Sequence, residues 1–332
     1  MTGQVLFPRF RADGRAVVDL GPKQRAAHAE VAAKIADGRW RFQDLACPSC
    51  GATTAEPIAA KERFGLPLTT VMCGACGLLR FQPHLAAEAY EDFYVNHYRT
   101  LYRGGVRARD AFARQGPRGR RIKRFVDRHL GPGRGARAGA VMLDVGCAAG
   151  GIVQVFQDAG WEAHGLDYNT DHLSHGRAKG LDLHFGGLVA AGRAALGGGK
   201  ADLIVYSHVL EHVVDLAAEL AAVRAHLAPG GQVFVRVPGL LRLHLISRGD
   251  LIRFVHIAHV YGFCLGTLGN VMARAGFEMV AGDERVQALF RVAAGPAPGP
   301  RLLAGPVRDY LRRCERARHW PKPLRRLYFA AG

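Results

Sequence analysis

Long apolar runs are missing from this chain of 332 residues, although 49% of its residues are hydrophobic. A helix that spans a membrane needs about 18 to 20 consecutive apolar residues, and no stretch of the sequence reaches that length. The first ten residues, Met-Thr-Gly-Gln-Val-Leu-Phe-Pro-Arg-Phe, also lack the apolar core of a signal peptide. We therefore expect a cytoplasmic protein that buries a large core in one main domain plus a smaller one.

Acidic side chains are scarce, with 28 aspartates and glutamates against 45 lysines and arginines, which gives a formal net charge of +17. The deficit lies at the ends of the chain: residues 141–285 carry 11 basic and 14 acidic side chains, whereas residues 286–332 carry 10 and 2. Basic flanks favour an anionic partner such as a nucleotide sugar, nucleic acid or an acidic membrane surface. A solvated, arginine-rich surface is the alternative explanation.

Cysteine is infrequent too, but four of the seven cysteines form a pattern. Cys47 and Cys50 make one Cys-x-x-Cys pair, and Cys73 and Cys76 make a second pair 22 residues further on. This spacing lets four thiolates converge on one zinc ion, and a glycine follows each pair, as a tight knuckle turn favours. Redox-active dithiols are the alternative. Because four thiolates leave no position open for water, we predict a structural zinc site.

A glycine-rich turn after an apolar strand is the most informative pattern in the sequence. Residues 141–151 read Val-Met-Leu-Asp-Val-Gly-Cys-Ala-Ala-Gly-Gly, and the glycines let the backbone approach a ligand without clashes of a Cβ atom. A second short apolar strand, residues 161–166, is followed by Asp167, about 20 residues after the loop, where an acid suits a ribose diol. The pattern indicates a nucleotide-type pocket.

Four landmarks in this order resemble the class I S-adenosylmethionine-dependent methyltransferases. After the loop and Asp167, residues 201–212 read Ala-Asp-Leu-Ile-Val-Tyr-Ser-His-Val-Leu-Glu-His, which is similar to the family's fourth strand and the turn after it. Residues 227–237 are similar to the turn and fifth strand. The resemblance covers residues 140–294 and implies an α/β, doubly wound, Rossmann-like methyltransferase sheet. An oxidoreductase of the dinucleotide-binding kind is the alternative, but no nicotinamide-side domain follows.

The resemblance also implies a cofactor site for S-adenosylmethionine. Asp144 would support the glycine loop and the methionine amine, and Asp167 would bind the ribose hydroxyls. The family's middle loop glycine is Ala148 here, which implies a slightly looser fit to the cofactor. The residues implied in cofactor binding are Asp144, Gly146, Cys147, Ala148, Gly150, Asp167, Tyr168, Ser207 and His208.

A zinc-binding segment ahead of such a core is similar to the arrangement of bacterial sugar methyltransferases, including deoxysugar C-methyltransferases, and of related enzymes of surface-polysaccharide clusters. Those enzymes carry a long C-terminal extension that is not expected here. They also carry a Glu-His pair before an aromatic-rich turn. The matching stretch here is Ala258-His259-Val-Tyr261-Gly-Phe263, which keeps the histidine and lacks the acid. Because proton abstraction from carbon would need that acid, we expect methyl transfer to oxygen or nitrogen.

Two histidines are candidates for the transfer step, in which acceptor and methyl must be aligned and a hydroxyl must lose its proton. We predict that His259 is the base or orients the acceptor and that His208 lies close to the methyl group; a structural role for each is the alternative. The expected acceptor is a small molecule or a glycan precursor, either a sugar nucleotide or a lipid-linked saccharide. An RNA methyltransferase and a noncatalytic binding protein are the alternatives, and nucleic acid is the weaker partner because no recognition signature is evident.

The rest of the chain divides by composition. We predict a helical extension at 1–44, the zinc module at 45–85, a helical connector at 86–139 that ends in a flexible linker at 131–139, and a basic tail at 295–332. Aromatic residues between 85 and 102 recur on one helical face, which indicates core packing; a lid over the pocket is the alternative.

The basic tail contains apolar side chains among arginines between Val307 and Leu327. Basic amphipathic segments bind anionic membranes, so one interpretation is that the protein is located at the surface of the inner membrane. Pro321 and Pro323 are expected to break any long helix there.

Overall fold

The computed structural model describes residues 5–103, 106–130 and 139–330, and these divide into two compact units. The first unit holds residues 5–103, 238–270 and 299–330, and the second holds residues 106–130, 139–237 and 271–298. This grouping differs from the predicted domain boundaries, since residues 238–270 group with the cysteine-rich front and residues 106–130 group with the predicted core. Of the predicted linker at 131–139, residues 131–138 lie outside the described residues.

The elements alternate between helix and strand in the middle of the chain. Within the described residues, the strands are β1 (Phe42–Gln43), β2 (Ala55–Ala59), β3 (Thr70–Cys73), β4 (Leu79–Phe81), β5 (His84–Leu85), β6 (Val141–Val145), β7 (Glu162–Asp167), β8 (Asp182–Phe185), β9 (Ala201–Ser207), β10 (Leu227–Arg236), β11 (Tyr261–Gly262), β12 (Phe277–Asp283) and β13 (Gln287–Val292). The α-helices there are α1 (Pro22–Ala36), α2 (Ala87–Asp92), α3 (Tyr98–Arg103), α4 (Ala108–His129), α5 (Gly151–Gln157), α6 (Thr170–Arg177), α7 (Leu188–Ala195), α8 (Leu216–His226), α9 (Leu251–Phe254), α10 (Leu265–Arg274), α11 (Ala304–Ala317) and α12 (Lys322–Ala330).

A seven-stranded sheet in the order β12-β13-β10-β9-β6-β7-β8 forms the second unit. Strands β10, β9, β6, β7 and β8 are parallel, and the hairpin β12–β13 joins antiparallel to β10. The predicted fold class, a doubly wound α/β sheet, is thereby confirmed. The strand order reverses between β6 and β9, and ligands of open α/β sheets bind in the crevice beyond the carboxyl ends of strands at such a point.

Small residues bring helix α4 close to α5 on one face of this sheet. A Cβ atom built on Gly119 would lie 3.2 Å from Ile152 Cα, and one on Gly151 would lie 2.4 Å from the carbonyl oxygen of Phe112. The side chains of Ile122 and Val126 join the buried core with Ile152 and strand residues. The described part of the predicted connector after residue 105 therefore belongs to the helical layer of the second unit.

The first unit is assembled from distant stretches of the chain. Its four-stranded sheet has the order β11-β4-β3-β2, in which Tyr261 pairs with Arg80. A buried apolar cluster joins Phe10, Ile58, Leu251 and Val307. A two-residue strand and a C-terminal helix thus complete the structure that the cysteine-rich segment begins.

The aromatic segment is a broken helix within the first unit. Five residues, Phe93–His97, form a π-helical turn between α2 and α3. Tyr90 and Phe93 are buried, and the Phe93 ring makes edge contacts with Tyr94 and Tyr98. The structure supports the core-packing interpretation for this segment, and a lid stays a prediction.

The C-terminal segment forms two helices rather than one. Helix α11 ends at Ala317 and Pro321 precedes α12, so Pro321 interrupts the helix as expected. Pro323 lies in the first turn of α12, where a missing N–H removes no helical hydrogen bond, so the expected break falls just before it. Among the described residues, the structure has no helix with the length and apolar character that crossing a membrane demands.

Candidate cofactor site and cysteine cluster

The glycine loop after β6 turns sharply because Gly146 and Gly150 adopt φ angles of +74° and +82°. A Cβ atom on Gly146 would lie 2.4 Å from Val209 Cγ2, so the loop lies directly against the turn that follows β9. Both segments leave the carboxyl ends of neighbouring parallel strands. The structure therefore brings together Gly146 and the segment of Ser207 and His208, as the sequence predicted.

Ala148 occupies the loop position at which glycine is usual, and it keeps the glycine-like conformation. Its φ is +47°, a left-handed angle that L side chains rarely adopt. Its backbone N–H donates a 2.8 Å hydrogen bond to Asp167 Oδ2. The side-chain methyl thus leaves the turn intact. The loop stores backbone strain beside Asp167, the residue predicted to bind the ribose.

Asp167 ends β7 and fastens the loop. Its Oδ1 accepts a 2.8 Å hydrogen bond from the backbone N–H of Asn169, while Oδ2 holds Ala148. Burial raises the pKa of Asp167, although these backbone donors oppose the shift. Each carboxylate oxygen has a second acceptor position, so the side chain can accept from a ribose hydroxyl without releasing the loop.

Asp144 is the least satisfied polar group of the site. It is 1% exposed, and neither carboxylate oxygen has a hydrogen-bond partner among the described residues. Burial and then the neighbouring charge of Asp167 raise the pKa of Asp144 well above its usual value. A buried carboxyl without a donor is costly, and a ligand ammonium group would satisfy it. Ser207 Oγ, which is also buried, likewise has no partner among the residues described here. These acceptors fit an amino-acid-bearing cofactor.

Cys147 and Tyr168 occupy opposite environments. The Cys147 side chain is fully buried. It packs against Gly165 of β7 so closely that a Cβ atom on this glycine would lie 2.7 Å from the Cys147 sulfur. Tyr168 is 68% exposed, and its ring meets Phe185 edge to face with centroids 5.6 Å apart. Cys147 therefore shapes the loop from the core side, whereas Tyr168 offers an aromatic face to a ligand.

His208 follows β9 in a strained conformation. Its φ is +62°, and its backbone N–H donates a 2.7 Å hydrogen bond to the carbonyl oxygen of Arg236. His208 Nδ1 lies 3.6 Å and His212 Nε2 lies 3.8 Å from Oε1 of the buried Glu211. One buried carboxylate thus lies close to two imidazoles at the carboxyl edge of the sheet.

Gln115 is a site residue that the sequence reasoning missed. Its Nε2 donates a 2.9 Å hydrogen bond to the carbonyl oxygen of Cys147, and its Oε1 accepts a 3.0 Å bond from the N–H of Gly151. One amide therefore braces both ends of the glycine loop. The buried positions of α4 are Ala111, Gln115, Gly119, Ile122 and Val126, so a single polar residue on the apolar stripe was the signal available in the sequence.

His259 lies in the first unit, two residues before β11. Its N–H donates a 2.7 Å hydrogen bond to the carbonyl oxygen of His256, and the two imidazole centroids are 3.6 Å apart. Tyr94 donates its hydroxyl to the carbonyl oxygen of Ala258 at 3.2 Å. His259 also lines a small cavity with Arg80 and Tyr261. The aromatic segment and β11 thus fix the position of His259, and its catalytic role stays a prediction.

The four predicted cysteines converge in the first unit. Their sulfur atoms lie within 4.8 Å of one another, with 3.6 Å from Cys47 to Cys76 and 3.5 Å from Cys50 to Cys73. A tetrahedral zinc ion with Zn–S bonds of about 2.3 Å holds sulfurs about 3.8 Å apart. Hydrogen bonding from Cys47 lowers the pKa of Cys76, which favours a thiolate. The donor set fits zinc.

Both cysteine pairs lie in the same type of turn. The N–H groups of Gly51 and Gly77 donate to the carbonyl oxygens of Cys47 and Cys73 at 2.7 and 3.1 Å. Both glycines have φ angles near +80°, namely +80° and +79°. The glycine after each pair therefore has the conformational role that the sequence predicted.

Comparison with known proteins identifies one family. A family model described as a methyltransferase domain matches residues 112–281. The ubiquinone biosynthesis O-methyltransferase of Methylococcus capsulatus is 35% identical over 101 residues, which cover 29% of this chain and 43% of that protein. That of Stutzerimonas stutzeri is 29% identical over 114 residues, or 33% of this chain and 47% of that protein. The chain thus spans less than half the length of these curated relatives.

Solved structures show a more distant likeness. A SAM-dependent methyltransferase from Archaeoglobus fulgidus has a TM-score of 0.38 and 20% identity, and the match covers 48% of this chain and 69% of that one. A glycopeptide N-methyltransferase complexed with S-adenosyl-L-methionine has a TM-score of 0.39 and 17% identity, with 53% and 94% covered.

Proposed function

From the premise that this chain belongs to the methyltransferase-domain family, we propose that it transfers a methyl group from S-adenosylmethionine to a small-molecule acceptor. The observation that carries the proposal is the pair of carboxyls at the carboxyl ends of β6 and β7. Asp144 lacks a donor among the described residues, and Asp167 holds the loop with an acceptor position to spare on each oxygen. An amino-acid ammonium and a ribose diol are the groups that these carboxyls would accept.

The residues of the second unit would bind and orient the cofactor. S-adenosylmethionine, when bound, supplies a methyl group activated by the positive charge of its sulfonium. Asp144 would accept from the ammonium group and Asp167 from a ribose hydroxyl. Gly146 allows close backbone approach, because any side chain there would meet Val209. The strained turn at His208 fixes the polar groups at the end of β9 beside this loop.

We propose a hydroxyl acceptor. Two relatives, which match 29% and 33% of the chain, are named ubiquinone biosynthesis O-methyltransferases. Ala258 precedes His259 where proton abstraction from carbon would need an acid, whereas a hydroxyl needs only a single base as it attacks. Within this class, a sugar nucleotide or a lipid-linked saccharide is the finer proposal, supported by the basic flanks of the chain.

Transfer of labelled methyl from S-adenosylmethionine tests the activity and the acceptor class together. The full-length protein is incubated with a cell extract, which is then separated into nucleotide-sugar, lipid-linked saccharide, other small-molecule and RNA fractions. Label in either saccharide fraction supports the finer proposal. Label in another small molecule supports only the coarser proposal. RNase-sensitive label overturns both in favour of an RNA methyltransferase, and cofactor binding without transfer to any fraction favours a noncatalytic binding protein.

His259 is proposed as the base or the acceptor-orienting residue, and His259→Asn tests the role. We expect turnover to fall about 100-fold, the low end of what a positioned general base contributes. The dissociation constant for S-adenosylmethionine, measured by titration calorimetry, should stay unchanged. His319→Asn, which alters an exposed histidine, is the control. Unchanged turnover in His259→Asn would remove this residue from the mechanism.

We propose that the cysteine cluster binds one structural zinc ion. Converging sulfurs and two matching knuckles support this, and measurement of bound zinc in the purified protein tests it. A stoichiometric dithiol-to-disulfide conversion without zinc would favour the redox alternative.

We also propose that α12 contacts an anionic membrane surface. Leu324 and Leu327 are 51% and 67% exposed beside Lys322 and Arg326. Vesicles with anionic lipid should retain the protein and neutral vesicles should not. Equal retention by both, or by neither, would contradict the proposal.

A further inference from the structure

Strand β8 lies at the edge of the second unit's sheet and carries two polar side chains that face a histidine of β7. His164 pairs with Asp182, and Leu166 pairs with His184. Because successive side chains of a strand alternate between the faces of a sheet, His164, Asp182 and His184 all project from the same face. None of these three belongs to the methyltransferase landmarks described above.

The ligand atoms of these three side chains converge within 4.8 Å of one another. His164 Nδ1 lies 2.6 Å from Asp182 Oδ2, and His184 Nε2 lies 2.9 Å from Asp182 Oδ1. Despite that distance, His184 Nε2 is buried and has no well-aligned hydrogen-bond partner among the described residues. A ring nitrogen and a carboxylate oxygen that face each other without an aligned proton are favourably bridged by a cation.

Glu162 holds the other side of the His164 ring. Its Oε1 lies 3.2 Å from His164 Nε2. When an ion replaces the proton on Nδ1, donation from Nε2 to Glu162 leaves the Nδ1 lone pair directed at that ion. Metal-binding histidines usually donate their second ring N–H to a carboxylate or carbonyl in this way.

From this arrangement we propose that His164, Asp182 and His184 form a binding site for a divalent transition-metal ion, with Glu162 orienting His164. Two imidazoles and a carboxylate suit Zn²⁺, Co²⁺, Ni²⁺ or Cu²⁺, whereas Mg²⁺ and Ca²⁺ prefer oxygen ligands only. The side chain of Asp182 is 55% exposed and that of His184 is 33% exposed, so solvent can supply the remaining ligands. The two carboxylates balance the charge of the ion.

A bound ion would link the edge strand to its neighbour. The ligands come from both β7 and β8, and His164 lies on the same strand as Asp167. An edge strand has unpaired backbone groups on one side and depends on a single neighbouring strand for its position. The proposed ion would hold β8 in place beside the strand that ends at the ribose-binding carboxylate. This inference does not depend on methyl transfer.

Titration of the full-length protein with Co²⁺ tests the site, because cobalt reports its ligands in its absorption spectrum. Cobalt bound by the cysteine cluster shows intense thiolate-to-metal charge transfer, and cobalt bound by nitrogen and oxygen shows only weak visible bands. We expect one equivalent without the thiolate signature. Its affinity should fall at least 10-fold in His164→Gln, Asp182→Asn or His184→Gln, and about 10-fold in Glu162→Gln. Mg²⁺ should not compete.

His319→Gln, which removes an exposed histidine of the other unit, is the control and should bind cobalt as the original protein does. Thermal unfolding without metal shows whether each variant is folded. In protein whose cysteine cluster already holds zinc, added Co²⁺ should raise the melting temperature of the original protein and not that of His164→Gln. The proposal is wrong if no cobalt binds without the thiolate signature, or if that cobalt still binds to the His164→Gln, His184→Gln double variant. In either case the three side chains form a hydrogen-bonded cluster only.

Discussion

At the scale of single residues, the predicted cofactor ligands combine two roles. Asp167 is both an acceptor for a ligand and the partner of the Ala148 N–H. Asp144 has no protein donor among the described residues. The sequence predicts these two acids because each directly follows or ends an apolar strand. It does not predict that one of them also fixes the loop, since that bond depends on the conformation of Ala148.

Asp167→Ala should weaken binding of S-adenosylmethionine by about 1 to 3 kcal/mol, because hydrogen bonds from the ribose to a charged carboxylate are lost. Titration calorimetry measures the change. Asp158→Ala, which removes an exposed acid of the same unit, is the control. An unaltered dissociation constant in Asp167→Ala would exclude this residue from the site.

Ala148→Gly should raise the free energy of unfolding by about 0.5 to 1 kcal/mol, because glycine adopts positive φ without the steric cost that alanine pays. Ala149→Gly is the matched control: this neighbour is buried and has no positive φ, so the same substitution should destabilise the protein. Chemical denaturation measures both. If Ala148→Gly also binds the cofactor more tightly, the looser fit predicted for Ala148 is confirmed; a loss of stability would contradict the strain argument.

At the scale of elements, one amide of α4 controls the glycine loop. Gln115 pairs with the carbonyl oxygen of Cys147 and the N–H of Gly151, so the loop depends on a residue that lies 32 positions before Cys147 in the chain. The strands of the second unit were predictable because each is a local apolar run. The amide brace was not, because it requires knowledge of which helix covers the loop.

Gln115→Ala should lower the free energy of unfolding by about 1 to 3 kcal/mol, since two buried backbone groups lose their partner. It should also weaken cofactor binding, because the loop is no longer fixed at both ends. Gln154→Ala removes a glutamine of α5 whose hydrogen bond to Asp158 is exposed, and it should change neither quantity. Normal cofactor affinity in Gln115→Ala would show that the brace stabilises the fold without shaping the site.

Strand β11 shows the limit of sequence reasoning at this scale. It is two residues long and pairs with β4, which lies far away in the sequence. The usual sequence signals of a strand, alternation and β-branched runs, need more residues than this to be visible. The sequence did predict a functional role for His259, close to Tyr261. The structure places Tyr261 on the four-stranded sheet of the first unit, which also contains Cys73.

At the scale of the whole molecule, zinc binding by the cysteine cluster should stabilise the first unit and leave the stability of the second unit unchanged. Cys73→Ser should abolish zinc binding and reduce hydrogen-exchange protection in β2, β3, β4 and β11, because those strands share the sheet next to the knuckles. Protection in β6 and β9 should persist. Cys314→Ser alters a buried thiol of the same unit outside the cluster and should keep its zinc. Uniform loss of protection in both units would contradict this division.

The chain passes four times between the two units, at about residues 105, 237, 270 and 298. A ribosome delivers residues in order, so the second unit has all of its residues once position 298 has emerged. The first unit, whose sequence begins earlier, must wait for Val307 and Leu311 of α11 to complete its apolar cluster. The unit whose synthesis starts first is therefore the last to have all of its core residues available for folding.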